Sequence, residues 1–331
     1  MTSFGKLELK KQHILCGGTS KFGISKRLQV LICLTGQSVV YEEASELFKE
    51  LIDIEIAAPQ IQRVCVYYGE SIDSLITSNC ESILPKLEVK SKEDTTYVMV
   101  DGAMLFTRED QWKELKLGRI FQQSQVVATH TNRKEIRSSI YVSHLGSVDN
   151  FFPKFERHLV AYKNKVIIGD GAKWIWNWAE DNYPGALQIL DFYHAKEKLV
   201  LFAKYQFKEE ANRQSWVKEQ LEKLLDNRLE EVLTTIRSCR SNGSEAKLAK
   251  KKLIDYYTEH EERMQYKTYR DKGLMIGSGP IEAAHRSVIQ QRMKLSGQKW
   301  SVQGANALAN LRCYRSSGAW DLVEKIITAA A

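Results

Sequence analysis

The chain has 331 residues, 43% hydrophobic and 27% charged, enough to fill two or three packed units of ordinary size. Five prolines, 19 glycines and no internal repeat argue against long disordered arms and against a solenoid. Six scattered cysteines with no CxxC pair disfavour a structural zinc site or a disulfide framework, and the apolar run Val30–Leu34 is far too short to span a bilayer. A protein of a reducing, cytoplasmic setting with no membrane partner is expected. The net charge of +7 admits a polyanionic partner without requiring one.

Residues 1–90 read as mostly helical. Tyr41–Ile52 places Ala44, Leu47, Phe48, Leu51 and Ile52 at helical spacing, and a second helix follows with Ile61, Val64 and Cys65 inward. The pair is either a helix-turn-helix, with Gln60, Gln62 and Arg63 available to DNA, or a plain helical hairpin. Near residue 95 the pattern changes. Tyr97-Val-Met-Val100 reads as a buried strand ending at Asp101-Gly102, with Phe121–Thr129 and Ser138–Ser143 as second and third strands. Asp149–Tyr162 reads as a helix, Lys165–Ile168 as a strand ending at Gly169-Asp170-Gly171, Ala172–Asn182 as a tryptophan-rich helix, and Ala186–Leu190 as a strand ending at Asp191. That order matches the mixed α/β sheet of a ribonuclease H-like core. Ala195–Tyr269 is helical and charged with one loop near Ser241–Ser244, and Gly273–Pro280 is a glycine-rich linker. A last helix starts near Pro280 and carries Glu282, Arg286, Ile289 and Met293 along one side. The segments are thus 1–92 (helical), 93–195 (core, first part), 196–272 (all-α insertion) and 273–331 (helical, with the glutamate).

Phosphodiester cleavage needs an activated nucleophile and a stabilised leaving oxygen, which two divalent ions held by carboxylates supply together. Asp101 and Asp170 each follow an apolar strand, so their carboxylates meet at one sheet edge if those strands are neighbours, and Glu282 can complete the cage. The same residues also suit plain Asp-Gly turns and a favourable helix-dipole position. Basic residues cluster late: from Ala283 to Trp320 the chain carries Arg286, Arg292, Lys294, Lys299, Arg312 and Arg315 and no acid, either a solvated face or a track for phosphates.

The stretches Val100-Asp-Gly102, Ile168-Gly-Asp-Gly-Ala-Lys-Trp-Ile-Trp176, Leu190-Asp-Phe-Tyr-His-Ala195 and Ile276-Gly-Ser-Gly-Pro-Ile-Glu282 resemble the bacterial insertion-sequence transposases of the Kra group, relatives of the Mutator-like enzymes with a DDE core. Gly118 and the tail Arg292-Met-Lys-Leu-Ser-Gly-Gln-Lys-Trp300, with Gly304-Ala305 and Leu311-Arg312, carry the same likeness, which covers about Tyr97–Asp321. It implies a transposase that cuts DNA at element ends and joins the strands to a target, with Asp101, Asp170 and Glu282 as catalytic acids and ligands of two Mg2+ ions, Mn2+ substituting. A structure-selective nuclease and a silent DNA-binding repressor are the alternatives. Asp191 and His194 match the Asp-x-x-His signature of related transposases. His194 is either a buried structural histidine or a residue that positions substrate or steadies the metal site, and Arg286 either holds a phosphate or neutralises the acids. Arg292, Lys294, Lys299 and Arg312, with Gln60 and Arg63, are the expected DNA contacts. Double-stranded DNA, a homodimer or larger assembly on it, and a nucleoid location when bound complete the expectation. The sequence departs from its relatives at the start, where isolated Cys16 and Cys33 stand in place of a cysteine-rich segment.

Overall fold

The computed structural model describes residues 21–87, 91, 93–130 and 133–329. The helical reading of residues 1–20 and 88–90 lies outside them. Three helices come first, α1 (Lys26–Ser38), α2 (Tyr41–Ile52) and α3 (Ala58–Thr77). Ser25 caps α1 by accepting from Leu28 N, Asp53 ends α2 in the left-handed conformation at φ 53°, and Pro59 opens α3. Ala44 and Phe48 of α2 are buried as the spacing predicts, but Leu51 is 75% exposed and Ile52 is exposed too, because the chain turns away before the apolar face is used up.

Strands β1 (Thr96–Thr107), β2 (Gln111–Gln122), β5 (Ile140–Leu145), β6 (Lys165–Gly169) and β7 (Leu187–Leu190) form one mixed sheet in the order β5-β2-β1-β6-β7, while β3 (Val126–His130) and β4 (Arg133–Ile136) make a separate hairpin. β2 pairs antiparallel with β5; β6 pairs parallel with β1 and with β7. The second strand therefore lies ten residues earlier than Phe121–Thr129. Its letters hide it: Lys116 and Arg119 are buried within β2, Lys116 donating to Gly146 O at 2.6 Å and Arg119 to Ser139 Oγ at 3.0 Å. Helix α4 (Val148–Glu156) and α5 (Lys173–Asn182) connect the later strands. Helices α6 (Phe192–Gln206), α7 (Glu210–Leu225), α8 (Leu229–Ser238), α9 (Ser244–Glu259) and α10 (Tyr266–Asp271) make the all-α insertion. After it, α11 (Gly279–Ala284) runs through a π-helical turn (His285–Gln290) into α12 (Gln291–Met293), and α13 (Val302–Ser316) and α14 (Trp320–Ala329) end the fold.

The chain divides into two compact units, one made of residues up to 92, 102–162 and from 283 on, the other of 93–101 and 163–282. In the first, α13 is buried nearly all round, and its alanines let other elements approach closely. A Cβ on Gly69 of α3 would stand 2.2 Å from Ala307 O of α13. The N-terminal helices do not form a region by themselves, because Ile32, Phe48, Ile61 and Ile72 share one core with Leu311, Trp320 and Ile327. Gly118 of β2 leaves room for Phe155 of α4, whose ring would lie 2.3 Å from an added Cβ.

Two expected DNA contacts are corrected here. Arg292 is 2% exposed and donates through Nε and Nη2 to Gly36 O, its guanidinium lying over the rings of Tyr41 and Trp300. Arg312 is 8% exposed and donates to the carbonyls of Val288, Gln37 and Ser287. Both guanidinium groups direct their hydrogen bonds to main-chain carbonyls and the Gln37 side chain, which offsets part of the cost of burying them. The last helix also differs from its expected face: Ile281, Ala284, His285, Val288, Ile289, Arg292 and Met293 are buried, while Glu282 and Arg286 are exposed. No helix among the described residues is long and apolar enough to cross a membrane.

Candidate metal centre

The second unit carries β1 up to Asp101, β6 and β7 side by side and parallel. Thr96 lies opposite Lys165 and Met99 opposite Ile168, while Gly169 lies opposite Leu190. Carried two positions along β1 and one along β7, this register sets Asp101, in the middle of β1, level on one rung with Asp170 and Asp191, which directly follow the last residues of β6 and β7. Asp191 N donates to Gly169 O at 2.8 Å, which continues the ladder to that rung. Adjacent strands are about 4.8 Å apart, so the rung concentrates negative charge where open parallel sheets bind their ligands.

Asp191 is fully buried and caps α6. Its Oδ1 accepts from Tyr193 N at 2.8 Å; its Oδ2 accepts from His194 Nδ1 at 2.7 Å and from Ser278 Oγ at 2.5 Å. Burial alone would raise the Asp191 pKa, but the donors from His194, Ser278 and Tyr193 N outweigh it and hold the carboxyl below its ordinary value. The hydrogen bond to Asp191 in turn pushes His194 up to about 9 against a smaller opposing effect of burial, with the charges of Asp191, Asp170 and Glu197 adding to the rise. His194 is therefore an imidazolium at neutral pH in the metal-free protein, and offers a lone pair to a metal only after losing that proton. With its side chain 32% exposed it is half-open to solvent and charged, which departs from a buried structural histidine.

Ser278, 3% exposed, links the rung to the glutamate: its Oγ lies 2.5 Å from Asp191 Oδ2 and 3.5 Å from Glu282 Oε1. The loop that carries it is fixed by Phe192 N donating to Ile276 O at 2.9 Å. Gly277 is required there, since a Cβ would come within 2.7 Å of the Tyr193 ring. Ligand atoms of Asp191, His194 and Glu282 all lie within 4.8 Å of one another, so these residues could hold a metal ion. Two carboxylates and an imidazole suit a divalent ion of hard or borderline character.

Asp170 turns the chain from β6 toward α5, its Oδ1 accepting from Ala172 N at 2.9 Å and its carbonyl from Trp176 Nε1 at 2.7 Å. Trp176 and Trp178 belong to the core, Trp176 under the guanidinium of Arg263 at 4.7 Å. Gly171 gives way to Tyr256 of α9, whose ring would lie 2.1 Å from an added Cβ. The Tyr256 hydroxyl is buried without a hydrogen-bond partner among the described residues, and burial, followed by the charges of Asp170 and Asp191, raises its pKa.

The structure thus brings Asp101, Asp170 and Asp191 to one edge and ties Glu282 to Asp191. Sequence reasoning had no role for Ser278, which it placed in a linker, nor for Tyr256, which sits deep in the helical insertion. The repeated small residues of Gly277-Ser-Gly279 are the one local sign that something packs closely there. Of the expected DNA contacts in the other unit, Arg286, Lys294 and Lys299 are exposed, as is Arg63, which donates to half-buried Gln60.

No curated protein matches the sequence. Residues 70–325 match UPF0236, an uncharacterised protein family, and the chain therefore belongs to that family.

Proposed function

We propose that the acid rung is the centre of a DNA transposase that cuts at element ends and joins the freed 3′ strands to a target. The observation that carries the chemistry is the register-matched set Asp101, Asp170 and Asp191 on three parallel strands, with Glu282 joined to it through Ser278. The string of motifs shared with insertion-sequence transposases supports the transposase assignment. With the β3–β4 hairpin set aside, the sheet runs third-second-first-fourth-fifth, which supports a ribonuclease H-like core.

In this reading Asp101, Asp170 and Glu282 would hold two divalent ions, Mg2+ with Mn2+ as a substitute, whose chemistry there would be Lewis acidity toward the scissile phosphate and a lowered pKa for the attacking group. Asp191 fixes the two segments that carry the acids by accepting from α6 and from Ser278. His194, charged and half-open, donates to an incoming phosphate oxygen while Asp191 holds its ring. Duplex DNA lies along Lys294, Lys299 and Arg286, a homodimer or larger assembly holds two element ends together, and the protein works in the cytoplasm on the nucleoid.

The test is divalent-ion-dependent cleavage of duplexes carrying the ends that flank the gene, with wild type beside Asp170→Asn and Glu282→Gln. Loss of cleavage by at least ~1,000-fold in both variants, with DNA binding kept, is expected. Hydrolysis without strand joining would replace the reading with a structure-selective nuclease. Tight binding with no cleavage in Mg2+ or Mn2+ would leave a silent DNA-binding protein.

A further inference from the structure

The first unit contains a cleft of 340 Å³ whose walls come from α2, α3, α12, Arg108 in the turn after β1, and the segment leading into α13. Arg108 and Lys299, both exposed, stand in its wall, and neither forms an ion pair among the described residues. Arg292 lies in the same lining as a buried charge, and no carboxylate pairs with it among the described residues. Glu42 is the one acid in the lining. Tyr41 also lines the cleft, and its hydroxyl is buried with no hydrogen-bond partner among the described residues. Two helices begin here: α2 after Val40, which gives it no side-chain cap, and α13 at Ser301, whose first turn already donates from Val302 N to Glu109 Oε2 at 3.2 Å and from Gly304 N to Ser301 Oγ at 3.0 Å. Three cations against one acid in the lining, an orphaned donor and the uncapped start of α2 favour the same kind of ligand.

We propose that this cleft seats a phosphate group of the DNA backbone. The source of that phosphate rests on the transposase reading, whereas the preference for an oxyanion rests on the cleft alone. Arg108 and Lys299 contact the phosphate oxygens, Tyr41 donates its unused O–H, and Arg292 supplies charge from below while its own donors stay on Gly36. Gln62 of α3 also lines the cleft, so a phosphate held here sets a duplex against the exposed side of α3 and gives that helix its register. The contact positions DNA and reads no bases.

The experiment measures binding of a labelled 30-base-pair duplex by full-length protein at several salt concentrations, beside melts with inorganic phosphate. For Arg108→Ala/Lys299→Ala, a roughly tenfold weaker Kd and a salt slope lower by about two are expected. Tyr41→Phe should weaken binding roughly threefold with an unchanged or slightly higher Tm, since its hydroxyl has no partner to lose. Inorganic phosphate should raise the Tm of wild type and leave the double variant unmoved. A double variant with the wild-type salt slope overturns the proposal. If wild type binds no duplex yet phosphate still protects it through Arg108 and Lys299, the cleft serves a free phosphate and the DNA source is overturned. If phosphate gives no protection and no duplex binds, the cleft is no oxyanion site at all.

Discussion

The buried carboxylate of Asp191 is held ionised by three donors, and each offsets part of the cost of its burial. Ser278→Ala removes the one that comes from the loop before Glu282. We expect a loss of about 1–3 kcal/mol in urea unfolding, and Mn2+ affinity lower by roughly tenfold in a calorimetric titration. Unchanged stability would mean that Ser278 is not a partner of Asp191. Tyr256→Phe should act the other way on stability. Its hydroxyl is buried and unpaired, so its removal should leave the unfolding free energy level or raise it by up to about 1 kcal/mol. Asp170 was legible in the sequence because a run of buried β-branched residues stops at Gly-Asp-Gly. Asp191 and His194 were legible only through the Asp-x-x-His signature of the resemblance. Ser278 and Tyr256 were not, because what they touch lies 87 residues away in the first case and behind Gly171 in the second.

At the scale of elements, the closest approach in the first unit is that of α3 to α13. Gly69→Ala would drive a methyl group onto the main chain of Ala307, which cannot rotate out of the way as a side chain could. A loss of about 1–3 kcal/mol is expected, read as a lower Tm, and Gly185→Ala, where a Cβ meets nothing within 4 Å, is the control. The insertion read as one helical block with a single loop near 241–244, and its breaks after Gln206 and Leu225 were hidden because no glycine or proline marks them. Strands β6 and β7 and helix α5 were legible from their apolar spacing. Strand β2 was not, since a strand that buries a lysine and an arginine reads as a charged loop until their acceptors are known. The late helix was misread in its face for a related reason: spacing alone put Glu282 in line with Ile289, whereas the structure buries one and exposes the other.

For the molecule as a whole, histidines set opposite pH limits: burial lowers His144, His158 and His260 each to about 4, and each contributes to the acid limb, while His194 is raised. His158 is 5% exposed and lowered to about 4, by burial first and then by the charge of Arg157, against a hydrogen bond with the Pro85 backbone. Between pH 6.5 and 4 the unfolded chain binds a proton that the native protein refuses, so stability falls as pH drops through that window, by up to about 3 kcal/mol. His194, raised to about 9, works in the other direction: its contribution is whole below pH 6.5 and is lost as pH climbs to 9. Melts of the metal-free protein across pH 4 to 9 should show His158→Leu flattening the acid limb and His194→Gln flattening the alkaline one.

Because Glu282 lies beyond the helical insertion, it leaves the ribosome 112 residues after Asp170. At ~5–20 residues per second that is an interval of roughly 6–20 s. During it the nascent chain has the aspartates of the sheet edge but neither the glutamate nor the Ser278 hydroxyl that braces Asp191. A message broken anywhere in the insertion therefore yields a product with the strands and without the fourth acid. Synthesis itself acts as a timer: the acid set is complete only when Glu282 is made, and α13 and α14, which close the core of the first unit, follow it.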